Sequence, residues 1–225
     1  MPLKVFTDDG GAPASAIAAA LYYAADNGAN IANLSLGSSY PTKTISRAVK
    51  DVSKRGLVIV ASAGNGNSNR RQYPARYKNV IAVGGTGNAA NPAGRASFSQ
   101  FGPKAVDVVA PAVDIVSTAV ISLADQLKGN GQAGEPTYFY GNGTSFAAPL
   151  VSGEAALVLA RARQLGLTLS NRDVRRIILS ATVPLGDDPA DLPDGGVAWA
   201  GHGRVDFLAA LQMVGPKNNS GSPTP

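Results

Sequence analysis

Ser145 stands in the run Gly141-Asn142-Gly143-Thr144-Ser145-Phe146-Ala147-Ala148-Pro149, where a glycine-rich turn meets a long Ala-, Leu- and Val-rich segment. Gly141 and Gly143 allow a tight backbone, and Ala147 and Ala148 keep the surroundings small enough for a substrate to approach. A hydroxyl on the first turn of a helix lies beside unpaired N–H groups and the positive end of the dipole, a setting that stabilises a developing oxyanion. The same residues also read as an ordinary helix cap at Thr144 or Ser145. A second run, Ala61-Ser62-Ala63-Gly64-Asn65-Gly66-Asn67, ends an apolar strand in Gly and Asn. Parallel sheets place ligands at such strand ends, and an Asn amide can donate to an oxyanion. Asn-Gly is equally common turn chemistry. A third run, Asn33-Leu34-Ser35-Leu36-Gly37, offers a strand edge that could pair with an extended peptide, or that simply enters a turn.

The elements that must position these residues follow from the hydrophobic pattern. Leu3 to Phe6 reads as a short strand and Asp8-Asp9-Gly10-Gly11 as a loop. Pro13 opens a helix to about Asn27, with Gly28 past its end. Strands are expected at Asn30 to Leu36, Leu57 to Ala61, Val80 to Gly84 and Val106 to Ala110, with a helix from Thr42 to Lys54 between the first two. Val113 to Thr118 and Thr137 to Tyr140 read as a hairpin. Helices follow at Thr144 to Gln164 and Asn171 to Ser180, the latter capped by Ser170 or Asn171, and a last short element runs from Val205 to Met213. Continuous apolar strands between helices predict an α/β fold: three layers, a mostly parallel sheet with helices on both faces. Residues 1–214 form one domain, and 215–225 read as a disordered tail of Gly, Ser, Pro and Asn.

The 225 residues suffice for one domain with a sizeable core. Hydrophobic residues make up 44% and charged residues 16%, which excludes the disordered class. The net charge is +5, but Arg70-Arg71, Lys54-Arg55 and the Arg172 to Arg176 group are not interleaved with aromatics. No nucleic-acid partner is expected on that ground. With no Cys there is no disulfide, thiolate metal site or Cys nucleophile. No stretch reaches the ~20 apolar residues of a membrane span, so no membrane partner is expected. Met1-Pro2-Leu3-Lys4 lacks the features of a signal peptide, and the chain is expected to begin at an internal position of a longer protein.

Taken together and in this order, the segments resemble the subtilisin-like serine protease (subtilase) family from about Leu3 to Leu211. Tyr73-Pro74-Ala75, Ser97 to Gly102 and Val108-Val109-Ala110-Pro111 add to the likeness. The resemblance implies acyl transfer: a Ser attacks a peptide or ester carbonyl, a His takes its proton, and an Asp orients that His. It makes Ser145 the nucleophile and Asn65 the oxyanion donor. It makes Ser35, Leu36, Gly37, Ala63, Gly64, Tyr73 and Thr144 the residues that meet substrate. It also implies a secreted, extracellular protein.

The family's Asp and His segments do not occur here, and its main calcium loop would lie in the same absent part. No metal or other cofactor is therefore expected. Two strands of the sheet would be missing as well, leaving Leu3 to Phe6 near an unprotected edge. A base would have to come from an N-terminal partner chain, from a second copy in a homo-oligomer, or from His202, the only His. Two other readings remain: a catalytically incomplete remnant, and a module that binds extended peptides without cutting them. Leu150 departs from the His that often follows the motif's Pro, and Asp187, Asp188, Asp191 and Asp194 could form a weak cation site.

Overall fold

The structure, a computed structural model, describes residues 1–119, 137–185 and 199–215. Helix α1 (Ala14–Asp26) starts after Pro13 and ends before Gly28, which sits at φ +76°, a conformation that glycine adopts without strain. Strand β1 (Ile31–Leu34) follows, then α2 (Lys43–Lys54), whose N-cap Thr42 accepts from the Ile45 N–H at 3.3 Å. Strands β2 (Val58–Ser62), β3 (Val80–Thr86) and β4 (Val108–Pro111) complete the parallel core. Strands β5 (Ile115–Ala119) and β6 (Thr137–Gly141) form the expected antiparallel hairpin.

Helix α3 (Thr144–Gln164) and helix α4 (Asn171–Ser180) have the expected bounds. Ser170 and Asp173 make a reciprocal capping box at the start of α4. Two-residue strands β7 (Thr182–Val183) and β8 (Arg204–Val205) precede α5 (Phe207–Gln212). The main sheet runs β1-β2-β3-β4-β8-β7, parallel except for the β7–β8 pair.

Alternation along the central strands splits the core into two layers. Ile59, Ala61, Val80 and Ala82 pack against Ile17 and Leu21 of α1 and Ala48, Val49 and Val52 of α2. Val58, Val60, Ile81 and Val83 pack against Ala147, Val151, Ala155 and Val158 of α3 and Val174, Ile177 and Ile178 of α4. Small side chains on α3 let it lie close across four strands. By length and composition α3 could cross a membrane; in the fold it packs on β1, β2, β3 and β4.

Leu3 to Phe6 is not a strand. The segment is irregular and leads into a turn in which Thr7 N–H donates to Gly11 O at 2.8 Å. Among the described residues no strand pairs with it, and β1 is the edge of the main sheet. Val106 and Asp107 likewise fall outside β4, while β3 continues two residues past Gly84. The four aspartates from Asp187 to Asp194, and the tail beyond Gly215, lie outside the described residues.

Candidate active site

The C-terminal ends of β1 and β2 meet the N-terminus of α3, and the side chains of interest collect there. Gly143, the N-cap, has φ 143° and donates its N–H to Ala112 O, just past β4, at 2.8 Å. That bond aims the first turn of α3 across the strand ends. Ser145 is half-buried in this turn, and Phe146 N–H closes back on Gly143 O at 3.0 Å. The hydroxyl of Ser145 makes no hydrogen bond among the described residues.

Asn65 is fixed by its neighbour across the cleft. Its Oδ1 accepts from both the N–H and the hydroxyl of Thr144, each at 2.9 Å. Thr144 Oγ1 in turn accepts from Gly64 N–H at 3.1 Å. With the carbonyl end of the amide tied down, the Nδ2 end faces the other way. A Cβ built on Gly143 would lie 3.2 Å from Asn65 Nδ2 and 3.8 Å from Ser145 N. Only a glycine leaves that space open, and two N–H donors border it. Such a pair can hold an oxyanion.

Ser35 contributes in a way its position in sequence does not suggest. Its hydroxyl donates to Ser145 O at 2.7 Å. In a regular helix the N–H four residues on would fill that carbonyl, but the residue there is Pro149, which has none. Asn33 holds Ser35 in place: Nδ2 donates to Ser35 Oγ at 3.0 Å, and Oδ1 accepts from Ser152 Oγ at 3.1 Å. The backbone groups of Leu36 and Gly37 have no backbone partner among the described residues.

Ser38 and Tyr73 form an antiparallel bridge, with both N–H to O distances 2.8 Å. This brings Tyr73 beside Gly37, its carbonyl oxygen 3.6 Å from where a Gly37 Cβ would lie. The ring of Tyr73 stacks on Tyr77, centroids 4.9 Å apart. Gln72, which the sequence reading did not single out, packs against both Gly37 and Gly64. A Cβ on Gly64 would come within 2.7 Å of Gln72 Cγ, and Gln72 Nε2 donates to Ser39 Oγ at 3.1 Å. Ala63 is buried behind Gly64. The sequence signal for Gln72 was its place just before Tyr73-Pro74.

His202 lies elsewhere. Its N–H donates to Asp107 O, at the start of β4, at 2.7 Å, whereas the α3 cap is attached at Ala112, past the other end. The intervening strand spans about 16 Å at ~3.3 Å per residue, far beyond proton-transfer reach. Leu150 packs against the core. Glu154, nine positions along α3 from Ser145, is fully buried, and neither carboxyl oxygen has a hydrogen-bond partner among the described residues. Burial, and secondarily the charge of Asp206, push its carboxyl up to about 8. Among the described residues no three His, Cys, Asp or Glu side chains gather as metal ligands.

The profile of the subtilase family (peptidase S8) matches residues 1–206. This chain belongs to the subtilase family. It is 40% identical over 184 residues to subtilisin BL of Lederbergia lenta, an alignment covering 82% of this chain and 60% of that protein. It is 38% identical over 211 residues to the thermophilic serine proteinase of Bacillus sp. strain AK1, covering 94% and 45%. Among solved structures, the prenylagaramide maturation protease PagA superposes with a TM-score of 0.75 at 26% identity, covering 94% of this chain and 71% of that one. The chain thus spans 60% and 45% of the length of these two curated relatives.

Proposed function

We propose that this subtilase chain is the nucleophile-bearing part of a serine endopeptidase that cleaves peptide, and also ester, bonds by acyl transfer. Ser145 Oγ attacks the carbonyl carbon while its proton passes to a base. The oxyanion is held by Asn65 Nδ2 and Ser145 N–H, and the amine or alcohol leaves with that proton. Water then attacks the acyl-enzyme and releases the acid. An extended substrate would pair along Ser35, Leu36 and Gly37, with one side chain in the recess of Ala63, Gly64, Gln72 and Tyr73. The observation that carries this reading is the pair of hydrogen bonds that the Thr144 N–H and hydroxyl donate to Asn65 Oδ1, with Nδ2 on the side of Ser145 N.

The base and its orienting Asp come, in this proposal, from a segment outside this chain seated on the free edge of β1. Beside that edge runs a groove of about 560 Å³, lined by Leu3, Val5, Leu21, Leu34 and Leu36 among others. An exposed strand edge above an apolar groove has room for a further strand. It acts outside the cell.

A second reading is an incomplete remnant or peptide-binding module, and the position of His202 favours it. Hydrolysis of p-nitrophenyl acetate separates the two. The enzyme reading expects turnover that Ser145→Ala abolishes and His202→Ala leaves intact; equal rates in all three proteins contradict it.

A further inference from the structure

At the opposite end of the sheet from Ser145, beside the start of β3, lies a cleft of about 510 Å³. Its walls carry Arg76, Lys78, Arg172, Arg175, Arg176 and His202. We propose that this cleft binds a small multivalent oxyanion of the phosphate class, by charge-assisted hydrogen bonds from the guanidinium groups and the Lys78 ammonium.

Charge is the first observation. Five permanent cations line the cleft with a single carboxylate, Asp107. That carboxylate is already shared, by Arg76 Nη1 at 3.2 Å and Arg175 Nη2 at 3.3 Å, and its Oδ2 also accepts from Ala82 N–H at 3.0 Å. Arg176 lies 3.9 Å from Asp173. Lys78 and Arg172 are exposed and have no ion pair among the described residues. So many like charges around one concave surface repel each other unless an anion enters, and the low-dielectric walls concentrate their field.

Donor capacity is the second. Arg76 and Arg175 each keep a buried Nε–H with no acceptor among the described residues, so donors outnumber acceptors there even where the ion pairs form. Placement is the third. Arg172 occupies the first turn of α4, the positive end of that helix, where a cation is disfavoured and an anion is favoured.

The lining also selects the ligand. Tyr77 is the one Phe, Tyr or Trp among the cleft residues, and its ring lies against Tyr73 while its hydroxyl is engaged with Thr42, accepting at 2.7 Å and donating at 2.9 Å. No stacking platform is presented to a base, whereas forked guanidiniums match phosphate oxygens.

Tripolyphosphate is the probe, titrated into the full chain by calorimetry at low salt. The expected result is saturable one-site binding, weakened at least tenfold in Lys78→Gln/Arg172→Gln. The control Arg47→Gln/Lys50→Gln removes the same charge from exposed positions on α2 and should change the affinity less than twofold. Both double variants alter exposed side chains, and an unchanged urea midpoint certifies that they fold. No saturable binding in the wild type, or equal weakening in both double variants, overturns the site. A mixed-sequence DNA 12-mer binding more than tenfold tighter than tripolyphosphate overturns the ligand class.

Discussion

The Ser35 hydroxyl donates to the Ser145 carbonyl at 2.7 Å, taking the place of the helical N–H that Pro149 lacks. One residue at the end of β1 therefore fixes the backbone of the residue that carries the candidate nucleophile. Ser35 is a positioning residue in this account: it reaches Ser145 through the main chain and not through the reacting oxygen. Its loss should lower the rate of Ser145 acylation by about tenfold or more, because small displacements of a reacting group are costly. The unpaired carbonyl should also cost stability, of the order of 1–3 kcal/mol. Pro149→Ala restores a main-chain donor, so Ser35→Ala/Pro149→Ala should recover part of both losses. A double-mutant cycle read by p-nitrophenyl acetate burst rate and urea unfolding checks this; additive losses would show that the two residues do not share the carbonyl.

Asn65→Ala removes Nδ2 from the space beside Gly143. The acylation rate should fall by about 10²–10³, the magnitude known for the oxyanion asparagine of this family. Thr144→Val keeps Asn65 but removes the hydroxyl that binds Oδ1 and accepts from Gly64 N–H. A smaller loss, about tenfold, is expected there. Stopped-flow measurement of p-nitrophenolate release compares them, and a loss in Thr144→Val larger than in Asn65→Ala would contradict the assignment.

Gln72 closes the recess between Gly37, Gly64 and Tyr73. Gln72→Gly should shift preference from N-acetyl-alanine toward N-acetyl-phenylalanine p-nitrophenyl ester by about tenfold or more, since each added methylene in an apolar pocket contributes ~1–3 kcal/mol. An unchanged ratio would place the recess outside the substrate path.

Glu154 makes stability depend on pH. Its folded carboxyl is raised to about 8 by burial, then by Asp206, from an ordinary 4.5. Between those values the unfolded chain has lost a proton that the folded chain keeps, so stability falls as pH rises through that window and levels off above it. Glu154→Gln removes the proton release and should be more stable than the parent at pH 9 by a few kcal/mol, yet close to it at pH 4. Urea unfolding at the two pH values tests this, and an equal difference at both would exclude titration of Glu154 as the cause.

Much of the frame was legible because it is carried by local signals. The start of α4 followed from the cap signal at Ser170 or Asn171, and that of α3 from the Gly143-Thr144-Ser145 turn and its apolar run. Strand β2, buried on both faces, announced itself as an unbroken apolar stretch. Leu3 to Phe6 misled because strand-like composition says nothing about whether a neighbour exists to pair with. Strands β7 and β8, at two residues each, are too short for any periodicity.

At the site, the sequence places Ser145 and Asn65 in suggestive runs but does not show that they meet. Thr144 and Asn65 are 79 positions apart, and Ser35 and Ser145 are 110 apart. Those contacts exist because β1 and β2 end at the same level in a parallel sheet and α3 begins above them. Glu154 was hidden for the opposite reason. In the sequence it interrupts an apolar helix like any surface charge, and only packing shows it to be enclosed.

The most direct test of Ser145 as a placed nucleophile is phosphonylation by a fluorophosphonate in the presence of imidazole, which can stand in for a general base. Peptide mass spectrometry should find one adduct per chain, on Ser145, forming faster as imidazole is raised and about 10²-fold more slowly in Asn65→Ala. No adduct on Ser145 at any imidazole concentration, or a rate indifferent to Asn65, would contradict it.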